Sequence, residues 1–201
     1  MGLYAMDRLH TLIVIRDINI NINPLYSVEK LKGENILKGN KIRDLKSVNK
    51  IISIEFVCHG NICRSPMAEF IMKDLVEKQG LSGCFSIASA ATSTEEIGNP
   101  VHYGTREKLR RYGISTEGKY AVQMVKHDYE KYDYLIGMER RNVTNMLRIL
   151  GGDPEGKVFR LLDFGEHPRD IADPWYTGDF DTTYEEILEG CQAFLEKITS
   201  E

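Results

Sequence analysis

The chain has 201 residues, 42% hydrophobic and 28% charged, a mixture that fits one globular domain with some chain to spare and excludes wholesale disorder. No apolar run approaches the ~20 residues that span a bilayer, and residues 12–15, broken off by Arg16 and Asp17, are too short for a secretory signal. Residues 1–50 hold 9 Lys and Arg against 5 Asp and Glu, while residues 51–201 hold 17 against 25, so the body is acidic, which argues against a nucleic-acid partner and requires a local site for any anionic substrate.

Residues 1–47 read as an extension to a domain covering 48–201. They lack Cys and favour Ile, Asn and Lys, with a short alternating strand at 18–22 ended by Pro24. A small hairpin, a flexible arm and an over-extended start all fit that composition. Met6 stands where a myristoylation signal has Ser or Thr. The four cysteines read as reduced thiols in a cytoplasm.

From residue 51 the order is regular. A strand at 51–57 stops at Cys58-His59-Gly60. Ser65 as N-cap and Pro66 as first residue open a helix striped by Met67, Ile71 and Leu75 and closed at Gly80. A strand follows at 85–90, a helix at 101–112 stopped by Gly113, and a strand at 132–136. Val143, Met146, Leu147 and Leu150 stripe a helix ended by Gly151-Gly152, and a strand occupies 158–162. Tyr184, Ile187, Leu188, Cys191, Leu195 and Ile198 stripe the last helix. Such alternation predicts an α/β fold with three layers, α/β/α, around a four-stranded parallel sheet. Ligands on these sheets bind beyond the strands' carboxyl ends, where Cys58 lies.

The segment Cys58-His59-Gly60-Asn61-Ile62-Cys63-Arg64-Ser65-Pro66 has the makings of an anion cradle. Five residues between Cys58 and Arg64 can curl their N–H groups inward, and the following helix adds its positive end. Arg64 offers a planar fork for two phosphate oxygens, and Gly60 permits backbone angles closed to other residues. Cys58 faces the centre, where the thiolate is the favoured form, suited to in-line attack on phosphorus. The Ser65 hydroxyl is placed to donate to the sulfur as it leaves. The strand before and the helix after set this segment apart from a chance Cys-x5-Arg.

The leaving oxygen needs an acid. Asp173-Pro174-Trp175-Tyr176 lies after the fourth strand, on the same sheet edge as Cys58. Spacing alone leaves it open whether Asp173 opens a turn or supplies the proton, and whether Trp175 and Tyr176 pack or wall a cleft.

The region from 51 to the C-terminus resembles the low-molecular-weight protein-tyrosine phosphatases, whose fold is the phosphotyrosine phosphatase I-like sheet. Val57 to Pro66 resembles that family's phosphate loop. Ser89-Ala90-Ala91-Thr92-Ser93 with Ile97-Gly98-Asn99-Pro100 resembles its second strand and cleft loop, and Asp173-Pro174-Trp175-Tyr176 its acid loop. The resemblance implies Cys58 as nucleophile, Arg64 as phosphate clamp and Asp173 as general acid and base, with His59, Gly60, Asn61, Ile62, Cys63 and Ser65 completing the loop. It implies a supporting network of Asn61, Ser65 and Ser89, and a reversible disulfide between Cys58 and Cys63 that shields the nucleophile; Cys63 as a small core residue fits equally well. No metal or other cofactor is implied. Phosphotyrosine proteins are the implied substrates, with a cognate tyrosine kinase possible as a partner, and neither nucleic acid nor membrane is implied. Lys119 stands where some members have a histidine, and Glu95 where animal members often have an aromatic cleft wall. An acidic wall disfavours acidic peptides, though a solvated loop charge explains Glu95 as well.

Three other activities share the fold or loop. Arsenate reduction through a thioredoxin relay needs two further placed cysteines, and only Cys84 and Cys191 remain, one reading as a strand-edge residue and the other as core. A protein-arginine phosphatase resembles this pattern but carries Thr at the position of Ile62. A non-catalytic phosphotyrosine binder needs neither Cys58 nor Asp173.

Overall fold

A computed structural model describes residues 51–200. The strand expected at 18–22 and the extension expected at 1–47 lie outside the described residues, as does the proposed boundary at 48. The strands are β1 (Ile52–Cys58), β2 (Phe85–Ala91), β3 (Tyr134–Gly137) and β4 (Val158–Arg160). The helices are α1 (Arg64–Lys78), α2 (Tyr103–Arg110), α3 (Asp128–Lys131), α4 (Arg140–Leu150), α5 (Pro174–Thr177) and α6 (Phe180–Ser200). No helix among the described residues is long and apolar enough to cross a membrane.

The sheet is wholly parallel, in the order β2-β1-β3-β4. It is the expected three-layer arrangement. Strand alternation sends Ile54 and Phe56 to one face, where they meet Met67 and Ile71 of α1 and Ile187 and Phe194 of α6. Val57 and Leu135 face the other way, toward Met146 and Leu150 of α4. Each such side chain, fully buried, contributes about 1.5–3 kcal/mol. Cys191 lies in the core of α6, where burial pushes its thiol up, and Cys84 is buried just before β2.

Several boundaries differ from expectation, among them those of β4, α1 and α2. β4 ends at Arg160, and residues 161 and 162 enter a 3₁₀ turn spanning Leu161–Phe164. The reason lies in α6: a Cβ on Gly190 would sit 2.6 Å from Leu161 Cγ, so the missing side chain admits Leu161. Ser65 is not the N-cap of α1. It is the second helical residue, Pro66 the third, and Cys63 occupies the cap position with no side-chain bond to the helix. The third is α2, which opens at Tyr103, capped by His102.

Candidate active site

Four parallel strands place their carboxyl ends on one edge. Chain leaving β1 returns through β2 on one side, while β3 and β4 lie on the other. The divergence opens a crevice beyond β1. A cavity of about 420 Å³ lies there, lined by Cys58, His59, Gly60, Ile62, Cys63, Arg64, Glu95, Glu96, Glu139, Arg141, Asp173, Trp175 and Tyr176.

The loop after β1 curls around Cys58. The Asn61 N–H donates to Cys58 Sγ at 3.3 Å, and Ser65 Oγ lies 3.1 Å from the same sulfur. Gly60 was expected to supply the special backbone angle. The left-handed residue is Asn61 instead, at φ 58°. Asparagine tolerates this conformation, and here its side chain is tied down on both ends. Its amide nitrogen donates to Ser65 Oγ at 2.9 Å and Ser89 Oγ at 2.8 Å, while its oxygen accepts the Val122 N–H at 3.1 Å. Gly60 serves close approach: a Cβ there would lie 3.0 Å from Glu96 Cγ. The recruitment of the Ser65 hydroxyl by Cys58 and Asn61 also explains why it does not cap α1.

The network extends beyond the three predicted residues. Ser89 Oγ donates to Glu69 Oε2 at 2.6 Å. Lys119 Nζ donates to the Ser89 carbonyl at 2.8 Å and pairs with Glu69 Oε2 at 3.1 Å. Lys119 thus completes the support. Glu69 escaped the sequence reading, although it stands one helical turn after Ser65 and so shares its face.

Arg64 is almost fully buried. Its guanidinium donates to Asp173 Oδ2 at 2.5 Å, Glu139 Oε1 at 3.2 Å and the Ile171 carbonyl at 3.2 Å. Its Nε has no hydrogen-bond partner among the described residues. Glu139 was also missed by the sequence reading. It stands two residues past the end of β3, so the strand-end rule that singled out Cys58 applies to it as well. The partnership itself spans 75 residues and has no local signal.

Asp173 caps the short helix α5, its Oδ1 accepting the Trp175 N–H at 3.1 Å. The segment is thus a turn, and its carboxylate reaches Arg64. Trp175 and Tyr176 line the cavity while 57% and 83% exposed. Glu95 is a well-exposed wall residue paired with His59 Nε2 at 3.0 Å, and Glu96, unpredicted, joins it on that wall. Arg141 was likewise unpredicted. Cys63 lines the cavity but is mostly buried, and burial, reinforced by Cys58, pushes its thiol up to about 12.

Residues 53–201 match the sequence model of the low molecular weight phosphotyrosine protein phosphatases. The low molecular weight protein-tyrosine-phosphatase YfkJ of Bacillus subtilis is 43% identical over 75% of this chain and 98% of its own length. Its crystal structure superposes with a TM-score of 0.72 over 74% of this chain and 95% of that one. The chicken low molecular weight phosphotyrosine protein phosphatase is 37% identical over 75% and 98% of the two chains. A Drosophila arginine phosphatase structure, 27% identical, gives a TM-score of 0.67 over 72% and 96%.

Proposed function

The chain belongs to the low molecular weight phosphotyrosine protein phosphatase family and is a protein-tyrosine phosphatase, and we propose that it hydrolyses phosphotyrosine in proteins through a phosphocysteine intermediate built by Cys58, Arg64 and Asp173. The observation that carries this reading is the meeting of a buried arginine, a strand-end cysteine and a turn carboxylate on one cavity.

In the first step the Cys58 thiolate attacks phosphorus and the tyrosyl oxygen leaves opposite it. Asp173 gives its proton to that oxygen, so tyrosine departs neutral. Arg64 and the loop amides hold the equatorial oxygens, with Glu139 and the Ile171 carbonyl fixing the guanidinium and leaving Nε for the phosphoryl group. In the second step Asp173, now a carboxylate, takes a proton from water as the water oxygen attacks phosphorus. The sulfur leaves as thiolate, eased by the Ser65 hydroxyl at 3.1 Å, and inorganic phosphate is formed. Trp175 and Tyr176 offer faces for the substrate ring, and the Glu95 and Glu96 wall disfavours acidic flanking residues.

The reading includes a reversible Cys58–Cys63 disulfide after oxidation, the substrate proteins' tyrosine kinase as a functional partner, and a cytoplasmic setting. Four free cysteines support that setting. Phosphoarginine is the second reading, and the Drosophila neighbour keeps it in view. Ile62, apolar and at the cavity, favours a phenyl ring over a guanidinium, a preference of ~1–3 kcal/mol. An arsenate relay fits poorly. Cys84 precedes β2 at the sheet's far edge and Cys191 lies inside α6, so neither reaches the crevice.

The test compares rates on a phosphotyrosine peptide and a phosphoarginine peptide, in EDTA and fresh thiol, with Cys58→Ser as blank. Tyrosine turnover should dominate by ~10-fold or more and vanish in the blank. A preference for phosphoarginine overturns the substrate, and turnover surviving in the blank overturns the nucleophile.

A further inference from the structure

We propose that His102 is a positioning residue, whose ring docks the acid turn α5 against the phosphate loop and so fixes Asp173 relative to Cys58. The proposal rests on the phosphatase mechanism above. His102 directly precedes α2, and its backbone N–H donates to the Ile62 carbonyl at 2.8 Å, so its main chain is tied to the phosphate loop. Its ring stacks on Phe180, the first residue of α6, with centroids 5.2 Å apart and planes 5° from parallel. The same ring meets Trp175 edge-on, centroids 5.8 Å apart at 69°. Trp175 and Phe180 bracket the end of the acid turn, and Asp173 stands two residues before Trp175, bonded to its N–H. Both sides of the turn therefore lean on one imidazole.

Other features hold that imidazole in place. Nδ1 accepts the Gly104 N–H at 3.2 Å, which orients the ring and caps α2. Gly104 has no side chain to obstruct Phe180: a Cβ there would lie 2.5 Å from two of its ring atoms. Burial and the nearby Arg106 keep the ring below the ordinary imidazole range, in the neutral form that can accept. Among the described residues, Trp175 has no ring partner other than His102. The turn itself is a single four-residue helix in which Pro174 alone is buried and Trp175 is exposed. Proton transfer depends on carboxylate placement within hydrogen-bond reach, and misplacement of about 1 Å costs up to ~100-fold.

Two variants separate docking from mere helix capping. His102→Asn keeps a capping acceptor and removes the ring, while His102→Phe keeps the ring and removes the acceptor. The readout is kcat/KM across aryl phosphates graded by leaving-group acidity, with inhibition by inorganic phosphate reporting the phosphate loop. His102→Asn should lose ~10-fold on poor leaving groups and under ~2-fold on p-nitrophenyl phosphate, with phosphate inhibition unchanged. His102→Phe should stay within ~2-fold of the parent throughout. Equal losses for good and poor leaving groups in His102→Asn, or the same loss in His102→Phe, overturn the proposal. Trp175→Ala, at an exposed site that does not threaten folding, should steepen leaving-group dependence in the same direction, and no change there also overturns it. Asp173→Ala is run alongside. If that variant shows no leaving-group dependence, the acid assignment fails rather than the role of His102.

Discussion

The phosphate loop and the acid turn line the same cavity but are held by different means. Asn61, Ser65 and Ser89 behind the loop are sealed from solvent and bonded to one another, then to Glu69 and Lys119. The acid turn projects Trp175 and Tyr176 into solvent, and beside backbone ties at Ile171 and Ala172 it is met by the Arg64 guanidinium and the His102 ring. The division suits the proposed chemistry. Binding a phosphoryl group needs many donors converging on fixed points, which a buried network provides. Moving a proton to a departing ring needs one group that a substrate can pass, which an exposed turn provides. Damage to the two regions should accordingly be distinguishable.

The largest difference is expected for Asp173→Ala, which should lower kcat by ~100-fold or more on poor leaving groups and by under ~10-fold on good ones. A loss equal for both would place the proton elsewhere. Asn61→Ala removes three hydrogen bonds and puts alanine at φ 58°, so it should act on the other region. It should reduce kcat/KM by ~10-fold for every leaving group alike and weaken phosphate inhibition in step. A leaving-group-dependent loss there would erase the contrast. Cys63→Ala sharpens the picture within the loop. After peroxide treatment and thiol rescue, the parent should recover most of its activity and the variant roughly half or less. Equal recovery removes the protective disulfide.

Glu55→Gln should leave turnover untouched and change the pH response of stability. Burial, with Asp128 adding, pushes the Glu55 carboxyl from 4.5 up to about 8, and its Oε2 has no hydrogen-bond partner among the described residues. The folded chain then holds a proton that the unfolded chain releases. Stability contributed by that proton is present below pH 4.5 and is lost as pH rises through about 8. In that window the parent should lose on the order of 1 kcal/mol per pH unit relative to Glu55→Gln. Parallel curves of Tm against pH would contradict this.

Most of the fold was legible because its signals are local. Alternating buried strands, the α4 stripe closed by Gly151 at φ 86°, and the α6 stripe each depend on residues close in sequence. Loop spacing and a strand end singled out Cys58 and Arg64, whereas for Asp173 spacing gave only its place on the same edge, and its expected role came from the family resemblance. What escaped depends on distance or on competition between partners. Ser65 reads as a cap until Cys58 and Asn61 compete for its hydroxyl. Gly60 reads as the strained position until the side-chain bonds of Asn61 hold the left-handed angle instead. Glu139 and Ile171 reach Arg64 from 75 and 107 residues away, and no spacing rule spans that. The four-residue α3 is too short to leave a periodic stripe.

The bare start of α1 has a thermodynamic consequence. A helix normally closes its first amides with a side-chain oxygen, and this one does not. On the proposed mechanism a phosphoryl oxygen bound in the loop would supply the missing acceptor, so the ligand would act as a structural part of the helix it binds. Folding and binding are then linked by mass action, at about 2.7 kcal/mol when ligand is a hundredfold above its Kd. On that mechanism each turnover would end with inorganic phosphate in that position, and the departure of product would be the moment at which the folded chain gives back that stabilisation.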